Sequence, residues 1–192
     1  MLRTEPDPAP SPPSRWFKST EWLAEHLHDR DVAVVDASYP TVTQKRDVLA
    51  EHRSGHIPGA VFFDIDAIAD TSTGLPHMLP DEMKFAAEMA ALGLGDGMRF
   101  VVYDAHGLFA VARVWWMLRA FGADDVTILD GGLPKWIREG RPLEQGEARP
   151  PFRRFTPRLN HGFVASIDDV RKALASGATK RYQKVRKGSA TR

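Results

Sequence analysis

The chain has 192 residues, 43% of them apolar and 27% charged, which is enough for one hydrophobic core of ordinary size. Twenty-six Lys and Arg against twenty-five Asp and Glu leave a formal charge of +1, so no chain-wide field recruits nucleic acid or an anionic membrane. There is no cysteine, which excludes disulfides, thiolate metal sites and thiol nucleophiles within these residues.

Residues 1–15 hold five prolines and no apolar run of the kind a secretory signal needs, and are expected to be a disordered lead. The longest apolar stretches, Val32 to Ala37 and Val111 to Leu118, are far short of the roughly 20 residues that cross a bilayer. A cytoplasmic protein without a membrane partner is expected.

Thr20 is placed to cap a helix that sets Trp22, Leu23 and Leu27 on one side. Val32 to Ala37 is almost continuously apolar, as a strand covered on both faces must be. A polar stretch runs to Gly55, then a Pro-Gly turn in His56-Ile57-Pro58-Gly59, then a second strand from Ala60 to Phe63. Asp81 to Leu92 carries Phe85, Met89 and Leu92 at helical spacing, and Phe100 to Tyr103 reads as a third strand. Phe109 to Phe121 is apolar on nearly every side, which suits a helix packed on two faces. Val126 to Leu129 reads as a fourth strand, closed by Asp130-Gly131-Gly132, with a short helix from Pro134 to Arg138. Strands alternating with helices specify an α/β fold with an open, mostly parallel sheet flanked by helices on both faces. Arg141 to Gly162 holds four prolines and no periodicity, and Ser166 with Asp169 forms a capping pair for a further helix ending near Gly177. Residues 178–192 carry six basic and no acidic residues, which reads as a solvated tail rather than a nucleic-acid site.

Four segments together resemble the N-terminal domain of the two-domain rhodaneses. They are Gly55-His56-Ile57-Pro58-Gly59-Ala60, Leu75-Pro76-His77-Met78-Leu79-Pro80, Tyr103-Asp104 with Ala112-Arg113-Val114-Trp115-Trp116-Met117, and Leu129-Asp130-Gly131-Gly132 with Trp136. The Leu-Pro-His-Met-Leu-Pro run leans toward the 3-mercaptopyruvate sulfurtransferase branch over thiosulfate sulfurtransferase. The resemblance implies a rhodanese-like domain over 16–146, a linker over 147–165, the first helix of an incomplete second rhodanese domain over 166–177, and a tail over 178–192 unrelated to the family. A truncated or frameshifted chain is the corresponding expectation.

In that family a cysteine of the second domain takes a sulfane sulfur from a small-molecule donor, 3-mercaptopyruvate or thiosulfate, and passes it to a thiol or cyanide. The persulfide sits in a loop of inward-pointing amides at a helix N-terminus. The matching loop here runs from Asp104 through Gly107 to Phe109, and Asp104 stands where the nucleophile would be. The expectation is that Asp104 fills the anion site from within, that Asp104, Gly107 and Arg113 are structural, and that the chain alone is inactive. The resemblance further implies that Asp66 and His77 form a relay with a serine of the missing domain; read without it, Asp66 caps a turn and His77 packs under a proline-bracketed loop. Arg113, inside an apolar helix, is expected to pair with Asp36 or Asp130, because an unpaired guanidinium there is costly. His52 and His56 lack the continuous helix and intervening Glu of a metalloprotease pair, and neither a metal nor a cofactor is expected.

Two other classes compete. Asp64-Ile65-Asp66 after an apolar strand has the look of a magnesium-dependent phosphatase nucleophile, with Asp124-Asp125 as the downstream acidic pair. A cysteine-free rhodanese domain could instead be a binding or regulatory module. The face that should dock the second domain, near the Trp115-Trp116 helix or the His77 loop, would be exposed and prone to self-association.

Overall fold

A computed structural model describes residues 14–40, 45–148 and 150–176. The elements of the first compact unit follow in chain order: β1 (Phe17–Lys18), α1 (Thr20–His26), β2 (Val32–Asp36), α2 (Val48–Ser54), β3 (Val61–Phe62), α3 (Ile65–Ile68), α4 (Glu82–Ala91), β4 (Arg99–Tyr103), α5 (Val111–Ala120), β5 (Asp125–Leu129) and α6 (Gly132–Arg138). The strands form one sheet in the order β1-β5-β4-β2-β3, and every pairing is parallel.

Successive strand residues face opposite sides, so the apolar runs of β2 and β4 divide between two cores. Ala33, Val35, Phe100 and Val102 pack with Phe85 and Met89 of α4 and with Val114 and Leu118 of α5. Val34, Val101 and Tyr103 face the other way, onto Leu23 of α1, Ile57 and Trp136 of α6. The double cover explains why these strands lack alternation.

Several elements depart from the sequence expectation. Ser19, not Thr20, caps α1 by accepting from Trp22 N at 3.2 Å; Thr20 already lies inside the helix and donates its hydroxyl to Glu139 instead. The polar stretch before Gly55 contains α2, capped by Asp47 and burying only His52, so it has no apolar stripe to announce it. The strands β1 and β3 are two residues each at the sheet edges, and α3 is a single turn capped by Asp64.

The first compact unit runs to Leu159. Residues 150–159 lie along it as a strap. Phe155 is buried and meets Phe85 edge-on at 5.5 Å, Thr156 bonds Asp96 through both its amide and its hydroxyl, and Arg158 N donates to Phe121 O. This segment has no regular structure, which is why periodicity could not assign it.

The second unit, from Asn160, contains a 3-10 turn (His161–Phe163) and α7 (Ile167–Ala175). Ser166 and Asp169 complete a reciprocal capping box at the start of α7, as the sequence predicts. The proline-rich lead through Pro13 and the basic tail from Gly177 onward lie outside the described residues. Among the described residues, no helix is long and apolar enough to cross a membrane.

Candidate functional site

In a parallel α/β sheet, the loops at the carboxyl ends of the strands are free to carry chemistry. Here the loops after β2, β3 and β4 converge. Asp104 follows β4 directly and is buried. Its Oδ1 accepts from His106 N at 2.9 Å, and its Oδ2 accepts from Ala110 N at 2.8 Å and Val111 N at 3.2 Å. The N-cap of α5, Ala110, has no side chain with which to cap. Asp104 therefore satisfies the orphan amides of that helix end from across the loop, with its charge against the positive end of the helix dipole.

The loop is fixed from two further sides. Ala105 N donates to Ser38 Oγ at 2.9 Å; Ser38 Oγ donates to Asp36 Oδ1 at 2.5 Å. Asp36 Oδ2 meets His52 Nδ1 at 2.8 Å and accepts from the Tyr103 hydroxyl at 3.1 Å. Burial, and then the charge of Asp36, push that hydroxyl well above its usual range, so it stays a donor. His52 and His56 are buried and stacked with ring centroids 4.1 Å apart, and His56 Nδ1 contacts His52 O at 2.8 Å, which makes this pair part of the core. On the other side Leu133 N donates to Asp104 O at 3.1 Å. That approach requires Gly132, with φ 54°: a Cβ there would lie 2.8 Å from Asp104 O. Gly107, at φ 104°, turns the loop.

The second cluster lies on the loops after β2 and β3. Asp64 caps α3, accepting from Asp66 N at 3.0 Å and Ala67 N at 3.1 Å. Asp66, in the first turn of α3, meets His77 Nδ1 with Oδ1 at 2.9 Å and accepts from the Tyr39 hydroxyl on Oδ2 at 3.2 Å. Thus Asp64, rather than Asp66, caps the turn. The His77 side chain is 41% exposed. Its backbone sits at φ 56°, uncommon for a residue with a Cβ. Two contacts hold it there: Arg113 Nη2 donates to His77 O at 2.6 Å, and Asp70 N donates to Met78 O at 3.0 Å. The family resemblance brought Asp66 and His77 to notice, but nothing in the sequence pointed to Tyr39.

Arg113 does not make the expected ion pair. Asp36 is engaged by His52, Ser38 and Tyr103, while Asp130 lies 3.9 Å from Lys135. The guanidinium instead bonds the His77 carbonyl and stacks on Trp116 at 4.9 Å, and burial alone lowers its basicity. The phosphatase arrangement also fails to assemble. Asp64 follows the carboxyl end of β3, whereas Asp125 opens β5, and in a parallel sheet those are opposite edges. Among the described residues, no group of three or more His, Asp or Glu is arranged to hold a metal ion. A cleft of about 340 Å³ beside the cluster is lined by Ser38, Tyr39, Arg46, Phe62, Asp64 and Asp66.

A wholly parallel sheet with both faces covered, and a loop at its carboxyl edge whose amides close on a buried carboxylate before leading into a helix, define an α/β domain. A rhodanese-like domain matches residues 19–139. The 3-mercaptopyruvate sulfurtransferase of Escherichia coli K12 is 44% identical over 156 residues, covering 81% of this chain and 56% of that protein. The human 3-mercaptopyruvate sulfurtransferase is 39% identical over 177 residues, covering 89% and 59%. A crystal structure of a 3-mercaptopyruvate sulfotransferase from Escherichia coli superposes with a TM-score of 0.81 at 42% identity, covering 84% of this chain and 62% of that one. The chain belongs to the rhodanese family of sulfurtransferases, and spans little more than half the length of these curated relatives.

Proposed function

We propose that this chain is the non-catalytic half of a cytoplasmic sulfurtransferase acting on 3-mercaptopyruvate or thiosulfate. In this reading it lends Asp66 and His77 to a second rhodanese domain that carries the cysteine. The observation that supports it most is the 2.9 Å contact between His77 Nδ1 and Asp66. A carboxylate on Nδ1 selects the tautomer whose Nε2 lone pair accepts a proton, and stabilises the imidazolium that results. In the complete reaction the partner's thiolate takes the sulfur of the donor. The carbon–sulfur bond of 3-mercaptopyruvate breaks to leave an enolate that gains a proton, or the sulfur–sulfur bond of thiosulfate breaks to release sulfite. His77 exchanges a proton with a hydroxyl of the partner loop, and the acceptor thiol or cyanide then removes the sulfur from the persulfide.

Asp104 accounts for the division of labour. Its carboxylate already holds the amides that a persulfide would need, and a carboxylate cannot carry sulfane sulfur. The exposed Leu75, Met78, Leu108 and Phe109 on the same loops supply an apolar surface for the second domain. Mixing the chain with a cysteine-bearing rhodanese domain tests the reading. Turnover should appear only in the mixture, and His77→Ala or Asp66→Asn should lower it by roughly 10²-fold or more. Turnover that is indifferent to both substitutions would refute the relay. The same exposed loops equally suit a binding or regulatory module; complex formation without turnover would favour that second reading.

A further inference from the structure

The Asp66–His77 pair is not buried. The Asp66 side chain is 60% exposed and that of His77 41%, so water competes for both and the pair cannot rely on burial for its geometry. A carboxylate has two oxygens and rotates about its terminal bond. Holding one oxygen on an imidazole nitrogen fixes the ring only if the other oxygen is held as well.

Tyr39 supplies that second hold. It lies just past β2, in a segment fixed at its root by Ser38, whose amide and hydroxyl both bond Asp36 Oδ1. Its hydroxyl donates to Asp66 Oδ2 at 3.2 Å while His77 occupies Oδ1. Its ring meets the His77 ring edge to face, with centroids 5.4 Å apart and planes at 90°. One side chain thus touches both members of the pair, the acid through a polar contact and the base through an aromatic one. Burial, followed by the charges of Asp66 and Asp64, raises the tyrosine above its ordinary range, so it remains a proton donor at neutral pH. The charged and titratable groups about His77 are then Asp66 on Nδ1, Tyr39 on its ring face and Arg113 on its carbonyl, with Asp64 behind Tyr39.

We propose that Tyr39 is a positioning residue for the Asp66–His77 pair, locking the carboxylate so that His77 is held as the Nδ1–H tautomer with Nε2 free to act as base. The proposal rests on the relay reading, and its test is separable from the test of that reading because it needs no turnover. Nitrogen-resolved NMR of the ring in the full 192-residue chain, assigned with His77→Gln and recorded above the imidazole titration, measures the tautomer ratio directly. The intact chain should favour Nδ1–H, against the Nε2–H preference of free histidine. Tyr39→Phe keeps the ring contact and removes the hydroxyl. It should lower the Nδ1–H to Nε2–H ratio by about twofold or more, the low end for a half-exposed hydrogen bond, with the thermal midpoint unchanged. Tyr39→Leu should lower the ratio at least as far, and Asp66→Asn should abolish the preference. A Tyr39→Phe chain with an unchanged or increased ratio would overturn the role of Tyr39 while leaving the pair intact. An intact chain without any Nδ1–H preference would remove the pair itself, and the relay with it.

Discussion

Asp104→Ala strips three amides of their common acceptor inside a closed loop. Each orphaned buried donor is costly, so the substitution should lower stability by about 2–4 kcal/mol in urea unfolding. Added sulfate should restore part of that loss by occupying the vacated cradle; an Asp104→Ala protein as stable as the parent would show that the loop amides do not need the carboxylate. His77→Gly behaves in the opposite way. It relieves the positive φ while losing an exposed polar contact to Asp66, so stability should stay within about 1 kcal/mol of the parent. The same variant should lose turnover when combined with a catalytic half, a separation of stability from activity that marks strain held for function. At this scale Asp104 and His77 were legible only through the motifs that resemble the two-domain rhodaneses, Tyr103-Asp104 and the Leu-Pro-His-Met-Leu-Pro run. The sequence missed Tyr39, whose importance lies in a contact 27 positions away, and misassigned the partner of Arg113, because a guanidinium satisfied by a carbonyl and an indole leaves no charge pattern to find.

Among the elements, the central strands and the helices α4 and α5 were legible because each carries enough buried apolar surface to impose a period or a continuous run. The strap from 150 to 159 was not, although it closes the core beneath Phe85 and Phe121. Phe155→Ala should cost about 3–5 kcal/mol, as for any buried phenylalanine truncation; a change of less than about 1 kcal/mol would mean that the strap is not part of the folded unit. The strap is also sensitive to acid. The Thr156 hydroxyl first, then the Thr156 amide and the charges of Arg158 and Arg154, hold the Asp96 carboxyl below its ordinary 3.8 against the opposing effect of desolvation. A carboxyl depressed in the folded state contributes its stability in full above 3.8, and loses it as pH falls through the lower folded value. The stability gap between the parent and Asp96→Asn should therefore be present at neutral pH and close progressively below 3.8. A gap independent of pH would contradict the contact.

For the molecule as a whole, the parallel sheet and its two cores bring three loops to one edge, where the amide-bound Asp104 carboxylate and the Asp66–His77 contact stand among exposed apolar side chains. Such a surface invites a partner, and sedimentation should detect concentration-dependent association that Leu108→Ser with Phe109→Ser abolishes. In the proposed function the loop amides are taken by the Asp104 carboxylate, a group unable to accept sulfur, and the sulfur is carried by another domain. Intact-mass spectrometry of the purified chain after incubation with 3-mercaptopyruvate or thiosulfate tests this directly. The mass should be unchanged; an added sulfur atom covalently held on any side chain would contradict the account.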